Sequence, residues 1–205
     1  MSATGPSAIV LAGGRGSRMG APKAALMFGN LTLLERVVAE LRKSFPEVIV
    51  AAAPEGQGDA ALHDARGVKI IRDAVAFQGP LFALQHALEA AASDPVFVCS
   101  CDLPMLDASV ASALVAVIAD HDAVIPEVGG KPQPLCAVYR KRCADAIATL
   151  LARGERRLTA LAAEINVRTV EENALRAIDP ELRSFFNLNT PEDYATALRM
   201  AGITG

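Results

Sequence analysis

The chain has 205 residues and a formal net charge of −3. That length suits a single domain over 1–205 with a full core, and the charge excludes a general attraction to nucleic acid or to an anionic membrane. Hydrophobic residues make up 52% of the chain but aromatic residues only 4%, so aliphatic side chains fill the predicted core, as in parallel sheets covered on both faces.

Short apolar runs alternate with amphipathic segments along the chain. The apolar runs predict strands at 7–12, 48–53, 68–72, 95–101, 123–126, 135–139 and 166–170. Apolar residues at helical spacing predict helices at 31–44, 81–92, 109–119, 141–152 and 156–163, and Thr190-Pro191 with two acidic residues predicts the start of a last helix. The segment 129–134 has too many Gly and Pro residues for either element.

This alternation predicts the fold class. Strands that alternate with helices favour right-handed crossovers, so we expect an α/β fold with a three-layer αβα, Rossmann-like, mostly parallel sheet. Ligands of such sheets bind beyond the carboxyl ends of the strands, where the strand order reverses. A Gly-rich loop follows the first predicted strand, Asp73 the third and Asp102 the fourth, and we expect the chemistry there.

The Gly-rich loop is the most informative segment. Four Gly residues (13, 14, 16 and 20) free the backbone to turn N–H groups toward one point, while Arg15, Arg18 and Lys23 supply cations that would oppose a triphosphate. Walker spacing is absent because Lys23 follows Pro22, and the dinucleotide fingerprint lacks its last Gly. The loop therefore predicts triphosphate binding, with a surface loop of solvated cations as the alternative.

Three polar residues outside the loop suggest ligand contacts. Asp102 ends an apolar strand, where a poorly solvated carboxylate would hold a hard cation together with phosphate oxygens and water; the alternative is a local cap, a role that Asp107 could also fill. Asn187 and Asn189 alternate in an extended stretch, which puts both amides on one side. They could bind a polar ligand or belong to a helix-capping region.

These motifs together resemble the signature of the nucleotidyltransferases that activate small phosphorylated molecules, with a nucleotide-diphospho-sugar transferase type of fold. Within them the sequence is most similar to the MobA-like molybdenum cofactor guanylyltransferases. The resemblance covers nearly the whole chain, through the loop at 11–23, QGPL at 78–81, CDLP at 101–104, KPQPLCAVY at 131–139 and NLNTPEDY at 187–194. One departure is an Ala run at 51–53, where the family often has Asn.

The resemblance implies transfer of GMP from GTP to the terminal phosphate of molybdopterin, with Mg²⁺ as cofactor and the guanine dinucleotide and pyrophosphate as products. It implies catalytic roles for Lys23, Arg18 and Asp102, with Asp102 as the metal ligand. The implied nucleotide contacts are Leu11, Ala12, Gly13, Gly14, Arg15, Lys23, Asp73, Gly79 and Asp102. The implied acceptor contacts are Gln133, Asn187 and Asn189. Transient contact with other molybdenum cofactor proteins is compatible with that role.

Alternative functions stay open at this point. A cytidylyl- or sugar-nucleotidyltransferase would use the same loop, and so would a non-catalytic nucleotide-binding module. Four Cys residues are too few for a disulfide framework, and no apolar run approaches the ~20 residues that a membrane span needs. We therefore expect buried, reduced thiols and a cytoplasmic protein with neither a membrane nor nucleic acid as a partner.

Overall fold

The computed structural model describes residues 5–12, 22–54, 68–72 and 79–203. The strands are β1 (Ser7–Leu11), β2 (Met27–Phe28), β3 (Leu31–Thr32), β4 (Glu47–Ala52), β5 (Lys69–Arg72), β6 (Val96–Ser100), β7 (Ala123–Val128), β8 (Lys131–Pro132), β9 (Cys136–Tyr139) and β10 (Val167–Val170). The α-helices are α1 (Leu33–Leu41), α2 (Pro80–Ala90), α3 (Ala108–Ala116), α4 (Cys143–Ala152), α5 (Glu172–Arg176) and α6 (Pro191–Met200). Short 3-10 helices span Lys23–Ala25, Leu158–Ala163 and Arg183–Phe185.

The main sheet is mostly parallel, as predicted. Its strand order is β10-β7-β9-β6-β1-β4-β5, with β8 paired to β7. The short strands β8 and β9 run antiparallel to their neighbours, and the other pairs are parallel. The strand order reverses at β1, which has β4 on one side and β6 on the other. A ligand crevice is therefore expected at the edge where β1, β4 and β6 end, called the carboxyl edge below.

Helices cover both faces of the sheet. One core cluster joins Val10 and Phe97 of the strands to the buried faces of α1 and α3. The other joins their sequence neighbours Ile9 and Val98 to α2 and α4. Because successive strand residues point to opposite faces, these apolar runs fill both cores, and the three-layer αβα prediction is confirmed.

A third, smaller cluster anchors the C-terminal helix. Phe28 and Leu33 pack with Leu188 and Ala197, which brings α6 against the β2–β3 hairpin. The contact holds the segment before α6 beside the start of the chain's first helix.

The first helix is shorter than the predicted 31–44. Residues 31–32 form β3, and α1 begins at Leu33 because Thr32 is its N-cap. The Thr32 hydroxyl accepts a hydrogen bond from the Glu35 N–H at 3.2 Å, and the Glu35 carboxylate accepts one from the Thr32 N–H at 2.6 Å. This capping box fixes the helix start.

Three other segments also differ from their predictions. The segment 129–134 was predicted to be irregular, but it contains a hairpin in which β8 pairs with β7 after Gly129 and Gly130, whose φ angles are +58° and +70°. The predicted helix 156–163 is a 3-10 helix over Leu158–Ala163, and the short helix α5 was not predicted. The two glycines provide the positive φ angles that a tight hairpin turn needs, so the hairpin forms although the segment contains prolines.

All four cysteines are buried and unbridged, as predicted. Burial raises the pKa of the Cys101, Cys136 and Cys143 thiols to about 12, so these side chains behave as small hydrophobic groups. Across the described residues, none of the helices has the length and apolar character needed to span a membrane.

Candidate active site

The candidate site lies where β1 and β6 end side by side. Leu11 is in register with Ser100, and the Leu11 carbonyl accepts a hydrogen bond from the Cys101 N–H at 3.2 Å. On the other side, the Ala12 N–H donates to the Ala51 carbonyl at 2.8 Å. Residues 11–12 and 101–102 therefore leave the sheet together at the carboxyl edge.

Asp102 extends from the end of β6 into this edge. Its side chain is 13% exposed. One carboxylate oxygen, Oδ1, accepts a hydrogen bond from the Ser100 hydroxyl, and the other, Oδ2, accepts one from the Lys23 ammonium at 2.8 Å. The Asp102 carbonyl accepts from the Leu188 N–H at 3.0 Å, which ties the C-terminal segment to the end of β6.

Lys23 joins three distant parts of the chain. It opens the 3-10 helix Lys23–Ala25, and besides Asp102 its Nζ donates to the Asn189 Oδ1 at 3.0 Å. Lys23, Asp102 and Asn189 are called the Lys23 cluster below. It combines residues from three of the motifs identified in the sequence at one point of the carboxyl edge.

A capping box holds Asn189 in place. The Asp193 carboxylate accepts hydrogen bonds from the N–H groups of Asn189 and Thr190, each at 2.9 Å, and the Thr190 hydroxyl accepts from the Asp193 N–H at 3.1 Å. The bond from the Asn189 N–H, more than any other contact, keeps the pKa of Asp193 below its usual range. Asp193, which sequence reasoning did not select, therefore stabilises α6 and positions Asn189, and the T-x-x-D pattern could have indicated it.

Asp102 does not cap the following helix. That cap is Asp107, whose Oδ1 accepts a hydrogen bond from the Ser109 N–H at 2.7 Å. Hydrogen bonds from the Ser109 hydroxyl and from its N–H lower the pKa of Asp107. The capping alternative for Asp102 is therefore wrong.

Gly79 lies at the N-terminus of α2 with φ +98° and ψ 166°, a backbone conformation that favours glycine. An added Cβ would lie 3.5 Å from the Arg156 carbonyl oxygen and 3.7 Å from the Arg156 Cβ. Because α2 connects two parallel strands, its N-terminus faces the carboxyl edge and offers backbone N–H groups to an anion. Sequence reasoning did not identify this approach of Arg156, whose guanidinium donates to the carbonyls of Leu151, at 3.2 Å, and Glu155, at 3.0 Å.

The side chains of two predicted acceptor residues have hydrogen-bond partners outside the Lys23 cluster. Gln133 is half-buried, its side chain donates to the Lys131 carbonyl at 3.1 Å, and its N–H donates to the Pro126 carbonyl at 2.8 Å. The Asn187 amide donates to the Phe185 carbonyl at 3.2 Å. Within the described chain, neither side chain has a hydrogen bond to Lys23 or Asp102. The predicted residues Gly13, Gly14, Arg15, Arg18 and Asp73 lie outside the described residues.

A family model decides the classification. The sequence model described as the MobA-like NTP transferase domain matches residues 8–169, well over half of the chain. The chain belongs to the MobA-like NTP transferase domain family. The match includes β1, the Gly-rich loop, Asp102 and Gln133, and it ends before Asn187 and Asn189.

Relatives of this MobA-like chain extend the likeness to the C-terminus. A probable molybdenum cofactor guanylyltransferase from Pelotomaculum thermopropionicum is 34% identical over 98% of this chain and 94% of its own length. A molybdenum cofactor guanylyltransferase from Desulfosudis oleivorans is 35% identical, with 92% of each chain covered. These names and the family model place the chain among nucleotidyltransferases linked to molybdenum cofactor biosynthesis.

Solved structures show the same fold as this MobA-like domain. The molybdopterin-guanine dinucleotide biosynthesis protein A from Archaeoglobus fulgidus superposes with a TM-score of 0.83 at 28% identity, covering 96% of this chain and 98% of its own. A 2-C-methyl-D-erythritol 4-phosphate cytidylyltransferase from Thermus thermophilus gives a TM-score of 0.71 at 21% identity, covering 98% of this chain and 100% of its own. The second likeness shows the fold alone.

The residues of this MobA-like site fit one divalent cation shared with a ligand. No group of three or more His, Cys, Asp or Glu side chains that could hold an ion occurs among the described residues. Mg²⁺ commonly binds through one or two carboxylates and takes its other ligands from phosphate and water. The carboxylate of Asp102 has about four lone-pair positions, of which Ser100 and Lys23 use two, so it could serve as such a ligand.

Proposed function

We propose that this chain transfers GMP from GTP to the terminal phosphate of molybdopterin, releasing pyrophosphate. The observation that carries the proposal is the Lys23 cluster, in which an ammonium, a carboxylate and an amide meet at the carboxyl edge of the sheet. The names of relatives that cover nearly the whole chain suggest the nucleotide and the acceptor.

A phosphate acceptor removes the need for a general base. It is already an anion at neutral pH, so the difficulty of the reaction is to bring two anions together in line. Catalysis then consists of positioning and charge neutralisation. In this proposal Lys23, with Arg15 and Arg18 of the loop, steadies the triphosphate, while Leu11, Ala12, Gly13, Gly14 and Asp73 contact the nucleotide.

Asp102 would hold Mg²⁺, which when bound neutralises charge on the α-phosphate. The hydrogen bond from the Ser100 hydroxyl fixes the rotation of the Asp102 carboxylate and keeps Oδ2 directed toward Lys23. Ser100 is therefore proposed as a positioning residue, because it acts through Asp102 and not on the substrate.

The acceptor side is proposed to consist of Asn187, Asn189 and Gln133. For Asn189 the support is its hydrogen bonding. Its N–H donates to the Asp193 carboxylate, and its amide oxygen accepts from Lys23. Gly79, at the N-terminus of α2, would let the backbone approach the nucleotide closely.

Nucleotide selectivity tests this proposal. GTP with Mg²⁺, at a concentration about a hundred times its Kd, should raise the free energy of unfolding by about 2.7 kcal/mol. CTP, UTP and ATP at the same concentration should stabilise the protein much less. Preferential stabilisation by CTP or UTP would favour a cytidylyl- or sugar-nucleotidyltransferase instead, and stabilisation by GTP without turnover would favour a binding module.

A further inference from the structure

Both carboxylate oxygens of Asp102 are engaged. Oδ1 accepts from the Ser100 hydroxyl, and Oδ2 accepts from the Lys23 ammonium at 2.8 Å. With 13% of the Asp102 side chain and 23% of the Lys23 side chain exposed, the ion pair is partly shielded from water. The ammonium therefore occupies one of the two positions on Oδ2 at which a cation could bind.

A divalent cation and the Lys23 ammonium compete for this oxygen. An ion bound to Oδ2 would come within a few ångströms of the ammonium, and like charges at that distance repel strongly in a partly dehydrated site. The ion must therefore bind weakly or Lys23 must move away. Ser100 does not compete in this way, because its hydroxyl is neutral and bonds the other oxygen.

The Lys23 side chain can change its position, and a bound triphosphate would attract it. Its side chain is long and flexible, and Lys23 follows, after Ala21 and Pro22, the loop at 13–20 that is proposed to bind the triphosphate. Its second partner, Asn189, is neutral and holds it at 3.0 Å. Asp102 is then the one negative charge among its two partners. A triphosphate carries more negative charge than Asp102 and Asn189 together and would attract the ammonium more strongly.

We propose that Lys23 blocks Asp102 against divalent cations in the nucleotide-free protein, and that a bound triphosphate opens the site by drawing the ammonium away. This inference rests on the proposed function for the identity of the metal ligand and of the triphosphate loop. It makes metal binding depend on nucleotide binding, and by linkage each ligand strengthens the other. Free metal is then not held at Asp102 before the nucleotide arrives.

Mn²⁺ binding to the nucleotide-free protein tests the proposal without any turnover. The paramagnetic resonance signal of free Mn²⁺ gives the Kd for wild type, Lys23→Met and Lys23→Gln. Both substitutions remove the charge, and the pair guards against one variant failing to fold. The Mn²⁺ Kd should fall about tenfold in each, equivalent to about 1.4 kcal/mol. Adding Asp102→Asn to Lys23→Met should abolish the tighter binding.

Two controls isolate the contact. Lys43→Met removes an exposed lysine that follows α1 and pairs with Glu40, and it should leave the Mn²⁺ Kd unchanged. If the Lys23 charge weakened Mn²⁺ binding only through long-range repulsion, the effect would disappear in about 1 M salt, where the screening length is about 3 Å. Repulsion within a partly buried contact is screened less. The difference between wild type and Lys23→Met should therefore persist largely at high salt.

An unchanged or weaker Mn²⁺ affinity in the folded Lys23 variants overturns the proposal. Loss of the difference at high salt, or tighter Mn²⁺ binding that survives when Asp102→Asn is added to Lys23→Met, overturns it as well. GMP transfer by the wild type is measured separately. Normal transfer with no effect of Lys23→Met contradicts only this inference, whereas tighter Mn²⁺ binding without any transfer supports it and contradicts the proposed function.

Discussion

The ion pair between Lys23 and Asp102 is better suited to chemistry than to stability. Both side chains retain some exposure to solvent, at 23% and 13%, and ion pairs in contact with water typically contribute about 0–1 kcal/mol to folding. The pair nevertheless fixes an ammonium and a carboxylate at the strand ends where ligands of this fold bind. Removing either residue should therefore affect turnover far more than folding.

Asp102→Ala and Lys23→Ala test this separation. Each should lower kcat by about 100-fold or more if each group supplies about 3 kcal/mol to the transition state. The free energy of unfolding in urea should change by no more than about 1 kcal/mol. Asp120→Ala, at an exposed position before β7, is the matched control and should leave turnover unchanged. Turnover near the wild-type level in either site variant would contradict the assignment.

At the scale of single elements, the start of α2 depends on one glycine. Gly79 has φ +98° and ψ 166°, a region that only glycine occupies readily. Gly129 in the β7–β8 turn has φ +58° and nothing within 4 Å of an added Cβ, so a side chain there meets only the smaller left-handed penalty. The two positions form a matched pair.

Gly79→Ala should destabilise the protein by about 1–3 kcal/mol, and Gly129→Ala by about 1 kcal/mol. Gly79→Ala should also raise the KM for GTP, because it shifts backbone that is proposed to contact the nucleotide, whereas Gly129→Ala should not. Urea unfolding and steady-state kinetics measure both effects. Equal stability losses with an unchanged KM would show that Gly79 has no special role.

The elements were predictable where one local signal decided them. The apolar runs correctly predicted the strands β1, β4 and β6, and Asp102, which follows β6, lies at the carboxyl edge as expected. The start of α1 was misplaced although Thr32 and Glu35 carry the capping-box spacing, because apolar periodicity runs on through Leu31. In the hairpin after β7, Pro132 and Pro134 obscured a turn that Gly129 and Gly130 permit.

The candidate site was predictable only in part. Lys23, Asp102 and Asn189 each belong to a recognisable motif, so their types and positions along the chain indicated ligands. Their mutual contacts depend on packing between segments far apart in sequence. Ser100 and Asp193 act through a neighbouring residue, and Arg156 reaches Gly79 only through the packed fold. No local pattern specifies contacts of that kind.

At the scale of the whole molecule, the edge opposite the site has its own stabilising carboxylate. Asp122 accepts hydrogen bonds from the Asn166 N–H, at 2.8 Å, and from the Arg142 guanidinium. Asp122 therefore connects the starts of β7, β10 and α4. The hydrogen bond from the Asn166 N–H is the main reason that the pKa of Asp122 lies below its usual range.

This depressed pKa predicts how stability depends on pH. A carboxylate whose pKa is lower in the folded state stabilises the fold above its unfolded pKa, about 3.9 for Asp, and loses that contribution as the pH falls through the folded value. Asp122→Asn should therefore be less stable than wild type at about pH 7, with a gap that narrows below about pH 4. Urea unfolding across this range measures it, and a gap independent of pH would contradict the linkage. Turnover should be unaffected, because Asp122 lies at the opposite edge.

Transfer of GMP to a phosphate acceptor is the activity proposed for this MobA-like domain. The most direct test measures pyrophosphate release and product mass for the wild-type chain with molybdopterin, Mg²⁺ and each of the four nucleoside triphosphates. We expect one pyrophosphate per guanine dinucleotide formed, with GTP as the preferred nucleotide and no release when molybdopterin is omitted. Release that prefers CTP, or no release with GTP from a folded protein that binds it, would contradict the account.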